Sequence, residues 1–154
     1  MSDNTERNIL VFGLTAPIGS KIDLLQDSLE SEMKIYGYDV TIINVSNLIR
    51  DISNKFNIIE DITKNLKIDE KIKFGNKICE MTEEKDYLVK AAIKKIFNKI
   101  KKEEKEEDDD ESGLKPKKSL AFIIRQLKRP EEIKTLKKYL VNNLYKFQQI
   151  MMNI

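Results

Sequence analysis

An apolar run, Ile9-Leu10-Val11-Phe12, meets Gly13 and then the loop Leu14-Thr15-Ala16-Pro17-Ile18-Gly19-Ser20-Lys21. Residues 8–12 read as a buried strand of β-branched and aromatic residues, ended by Gly13. Over residues 21–36 the apolar positions Ile22, Leu25, Leu29 and Met33 recur at three and four residues, which lines one face of a helix. Gly37 stands where a C-terminal cap belongs. "YDVTIINV" then supplies a second strand, and Ser46 can cap a short helix carrying Leu48, Ile49 and Ile52. Two strands joined through a helix cannot form a hairpin, so they run parallel with a right-handed crossover. The expected class is α/β: a mostly parallel sheet flanked by helices in three layers.

The rest of the chain extends this plan. Residues 54–81 give short helical patterns broken near Asn65 and Gly75. A firmer helix is predicted over 84–102, with Leu88, Val89, Ala92, Ile93, Ile96, Phe97 and Ile100 on its buried side. Residues 101–118, "KKEEKEEDDDESGLKPKK", are dense in charge and poor in apolar anchors, and read as a disordered, solvated insertion. "SLAFIIRQL" is the next buried strand. In "KRPEEIKTLKKYL", Pro130 takes the first helical position, and Glu131 and Glu132 favour the dipole in the first turn. The last stretch, "NNLYKFQQIMMNI", fits a strand or a helix equally. With 154 residues the whole is expected to be one domain.

Composition removes several chemistries. There is no His and one cysteine, Cys79, so His-based triads, disulfide scaffolds and the common zinc sites lack their residues. Cys79 reads as a small buried apolar residue. A net charge of +2 gives no footprint for nucleic acid or an anionic membrane. The polar start "MSDNTERN" and the shortness of the apolar run after it point to a cytoplasmic chain without a membrane segment.

The loop itself poses the functional question. A P-loop reads G-x-x-x-x-G-K-[ST]: backbone N–H groups wrap the phosphates, Lys neutralises them and the hydroxyl holds magnesium. The placement fits, between a strand and a helix N-terminus. The residues depart from it. Laid over the kinase wording G-L-T-G-x-I-G-S-G-K-S without a gap, Ala16 and Lys21 replace two glycines, Ile22 the lysine and Asp23 the hydroxyl. Phosphoryl transfer and a magnesium site are therefore not expected. Nucleotide binding through Gly13, Gly19, Ser20 and backbone amides, and a turn with no ligand, both fit the residues.

Four stretches in this order, "LVFGLTAPIGS", "GYDVTIINVSNLIRD", "FGNKICE…LVKAAIKKI" and "AFIIRQLKRPEEIKTLKK", resemble one family. It is the N-terminal P-loop kinase-like domain of bacterial anti-phage dCTP deaminases. The resemblance covers most of residues 8–140, with 101–118 divergent. It implies a P-loop nucleotide-kinase-like fold and a degenerate phosphate loop, with Gly13, Pro17, Ile18, Gly19, Ser20 and Lys21 around a nucleotide. It also implies Asn76 and Arg125 near the same end of the sheet. Family members carry a zinc deaminase domain after it, with the pattern H-x-E…P-C-x-x-C. That pattern is absent here, so neither zinc nor deamination is expected of these residues alone. The expected role is a nucleotide-sensing module of an anti-phage system, partnered by a deaminase domain or subunit. The alternative is a small nucleotide or nucleoside kinase in which Lys21 acts on phosphate; a third reading is an inert remnant.

Overall fold

A computed structural model describes residues 7–17, 19–55, 68–143 and 147–153. The chain runs β1 (Ile9–Thr15), α1 (Ile22–Ile35), β2 (Tyr38–Asn44), α2 (Val45–Lys55), α3 (Ile68–Thr82), α4 (Tyr87–Asp108), β3 (Ser119–Arg125), α5 (Pro130–Asn143), β4 (Phe147–Asn153). The protein is α/β, with an open sheet in the order β2-β3-β1-β4 and every neighbouring pair parallel. Register places Val11 beside Phe122 and Gly13 beside Ile124, while Ile42 pairs with Ile123.

Alternation along the strands sends side chains to two separate clusters. Val11, Leu120, Phe122 and Ile124 face a core shared with Leu48, Ile49, Ile78, Val89, Ile96, Leu136 and Leu140 from α2 to α5. Phe12, Leu14, Ala121 and Ile123 face the other way, against Ile22, Leu25, Leu29 and Met33 of α1. From β1 the chain steps over β3 to reach β2, with α1 on one face. It then returns through β3 and over β1 to β4, with α2 to α5 on the opposite face. A reversal of direction coupled to a change of face is what right-handed crossovers require.

Several local expectations change. β1 continues two residues past Gly13, because Gly13 keeps its place in both ladders, beside Ile124 and Met151. Ser46 lies inside α2; its N–H donates to Asn44 Oδ1 at 3.0 Å, so Asn44 takes the capping role. Gly75 does not break a helix but lies within α3, where its lack of a side chain lets α3 approach Ile49 and Leu88. The suggested break at Asn65 lies outside the described residues. Gly37 does end α1, at φ +82°, and its N–H donates to the Lys34 carbonyl.

The largest correction concerns 101–118. The disorder expected there gives way to helix through Asp108. Lys and Glu are good helix formers, and Lys99–Glu103 and Lys102–Glu106 pair at i,i+4. Glu103 is buried, and Arg7 pairs with Glu107, which ties the helix end to the start of β1. Only 109–118 is irregular.

Candidate functional site

β1 and β3 are neighbours, yet their following loops diverge: β1 feeds α1 on one face, β3 feeds α5 on the other. Such a divergence opens a crevice beyond the carboxyl ends of the strands, the usual ligand position in open α/β sheets. A cavity of about 290 Å³ lies there, lined by Ala16, Pro17, Gly19, Ser20, Ile22 and Asp23 on one side. Ser46, Arg125, Gln126 and Lys128 line the other.

Local chemistry holds each wall. Gly19 sits at φ +88°, in the left-handed region, and Ser20 N–H donates to the Pro17 carbonyl at 3.2 Å, which closes a tight turn. α1 begins immediately after, at Ile22, whose N–H donates to the Ser20 carbonyl at 2.8 Å; the positive dipole end of the helix adjoins the cavity. On the β3 side, Leu127 N–H donates to the Leu14 carbonyl at 3.3 Å, and Gln126 adopts φ +70°. Glu132, buried in the first turn of α5, accepts the N–H groups of Lys128 and Arg129 at 2.9 and 3.1 Å. That reach back to the residue before Pro130 is one half of a capping box, and it fixes the loop bearing Lys128. Ser46 hydroxyl donates to Gln126 Oε1 at 2.5 Å, joining α2 to the same loop.

The charges are partly spent on one another. Arg125, 13% exposed, donates to Gln26 at 2.7 Å and pairs with Asp23 at 2.7 Å. Its Nε is buried without a hydrogen-bond partner. Lys128 is exposed at the rim. A helix N-terminus and cations at one cavity can hold an anion, and the Asp23 carboxylate and the Ser20 and Ser46 hydroxyls stand on the same walls.

The structure brings together Pro17, Gly19, Ser20 and Arg125 of the residues expected from sequence. Ile18 lies outside the described residues. Gly13 is buried inside β1, and Lys21 is exposed at the N-cap of α1 without lining the cavity. Asn76 lies elsewhere: it accepts a hydrogen bond from Arg129 and borders an adjoining space of about 170 Å³ with Val45, Ile49 and Leu88. Sequence reasoning missed Ser46, Gln126 and Lys128. The signal for two of them was their place directly after the third strand, at its carboxyl end.

Cys79 is buried in α3, and Arg129 donates to its sulfur at 2.7 Å. Burial pushes its thiol up against the lowering pull of Arg129, so it is not an activated thiolate. Among the described residues no group of three or more His, Cys, Asp or Glu could hold a metal, and no helix is long and apolar enough to cross a membrane. Comparison with family models, curated proteins and solved structures gave no match.

Proposed function

We propose that this chain is a cytoplasmic nucleotide-binding module with a degenerate phosphate loop, of the three-layer P-loop kinase-like type. It serves as a regulatory or sensing unit akin to the N-terminal domain of anti-phage dCTP deaminases. The observation that carries this reading is the cavity where the loops after β1 and β3 diverge, with the Pro17–Ser20 turn and the start of α1 on one wall and Lys128 on the other. Backbone amides and fixed dipoles bind phosphate without a proton transfer, which suits sensing. The positions that would move phosphate hold Ile22 and Asp23, which supply neither a cation nor a metal-binding hydroxyl. A deaminase centre would come from a partner domain or subunit, since these residues hold no His and one Cys.

Titration calorimetry with a panel of nucleotides, with magnesium and with EDTA, tests the proposal. Binding that survives EDTA and proceeds without turnover is the expected result. Magnesium-dependent ATP binding with turnover would make the chain a small kinase instead. Loss of dCTP or dCMP to deoxyuridine products in a preparation free of host deaminase would overturn the division of labour.

A further inference from the structure

The Asp23–Arg125 pair sets the net charge of the cavity, and the charge sets what fits. We infer that Asp23 is a specificity-determining residue that makes the cavity select a singly phosphorylated nucleotide over a triphosphate; this rests on the nucleotide-binding reading above. Among the described residues, three acidic or basic side chains line the space: Asp23, Arg125 and Lys128. Asp23 holds the Arg125 guanidinium at 2.7 Å, and Gln26 takes another of its N–H groups at 2.7 Å. Two of the three charges thus cancel. What remains is Lys128 and the dipole end of α1, an excess of little more than one positive charge.

A monophosphate carries up to two negative charges near neutral pH, and that excess suffices to hold it. A triphosphate brings further charges with nothing left to meet them. They lie beside a carboxylate that is 75% exposed and on the rim of the same cavity. Like charges a few ångströms apart repel, and the charge of Arg125 is already opposed by Asp23. Size agrees with charge. About 290 Å³ lies at the low end of ligand-pocket volumes. The neighbouring space of about 170 Å³, with Val45, Ile49 and Leu88 beside Asn76, Arg129 and Glu132, shares Ser46, Gln126 and Lys128 with it as a common wall.

The test is calorimetry of the full chain, in EDTA, with matched nucleoside mono- and triphosphates, on the wild type and Asp23→Asn. The wild type is expected to bind the monophosphate at least about tenfold more tightly. Asp23→Asn, isosteric and exposed, removes the charge that opposes Arg125; it is expected to tighten both ligands, the triphosphate about tenfold more than the monophosphate. An unchanged thermal midpoint confirms that the variant folds. A wild-type preference for triphosphate, or a ratio that Asp23→Asn leaves unmoved, overturns the inference while nucleotide binding stands. Absence of binding by every nucleotide overturns both.

Discussion

The two faces of the sheet are built to different depths. On one, α2 to α5 bury side chains from all three of β1, β2 and β3, with Phe122, Ile78, Ile96 and Leu136 fully enclosed. On the other, α1 is the helix packed against the sheet's second cluster, and none of its residues is buried. Leu24, Ile35 and Tyr36 stand 61%, 76% and 71% exposed. Depth of packing resists change, because a close-packed core feels the loss of a methylene. The thin face can shift at small cost, and its helix starts at the candidate phosphate cavity. Stability therefore belongs to the deep face, and the candidate site lies at the edge where the thin face begins.

Truncation should expose this difference most strongly. Phe122→Ala, on the deep face, is expected to cost about 3–5 kcal/mol through transfer and cavity terms. Leu29→Ala, half-buried on the sheet-facing side of α1, is expected to cost roughly 1–2 kcal/mol, in keeping with its partial burial. Urea unfolding followed by circular dichroism measures both, and equal losses would erase the contrast.

A smaller effect sharpens where the deep side ends. Arg7 and Glu107 pair with side chains 8% and 17% exposed, so Glu107→Ala should cost about 1–3 kcal/mol. Replacing 109–117 by Gly and Ser of equal length should change stability by under about 0.5 kcal/mol, as exposed segments do. If both changes cost the same, the helical extension through Asp108 is not anchored as described.

The smallest expected effect is a pH slope. Burial opposes ionisation of Asp86, but hydrogen bonds from Thr135, at 2.5 Å, and from Lys90 outweigh it and hold the carboxyl below its usual range. A carboxyl lowered by folding adds stability above its unfolded value, about 4, and loses it as pH falls through the folded value. Thr135→Val should flatten the fall in urea midpoint between pH 5 and 3 while leaving the Phe122 and Leu29 contrast intact. A slope unchanged by the substitution would remove the assigned role of the Asp86–Thr135 bond.

Local signals in the chain read well where one element decides its own form. Ile22, Leu25, Leu29 and Met33 announce α1, Pro130 with Glu131 and Glu132 announces α5, and Gly37 marks a cap. Signals misled where a distant contact decides. Gly75 looks like a breaker until Ile49 and Leu88 are seen against it, and the run at 101–108 looks unanchored until Arg7 meets Glu107, 100 residues away. The site divides the same way. Gly19 and Ser20 were legible from the loop, whereas Lys128 joins them through strand order, and Ser46 reaches Gln126 across 80 residues. Gly13 was misjudged because a glycine need not end a strand that both neighbours pair.

The central claim is that the turn around Gly19 binds phosphate through fixed backbone, with the lysine of the motif-like stretch as a bystander. Calorimetry of a nucleoside monophosphate against Gly19→Val, Lys21→Ala and Lys128→Ala addresses it directly. Gly19→Val should abolish binding, because a β-branched residue cannot adopt φ +88° and the turn must refold. Lys21→Ala should leave affinity within about twofold, and Lys128→Ala should weaken it several-fold, the scale of an exposed charge worth about 1 kcal/mol. Loss of binding in Lys21→Ala as complete as in Gly19→Val would contradict the claim and make the loop a working P-loop with a shifted lysine.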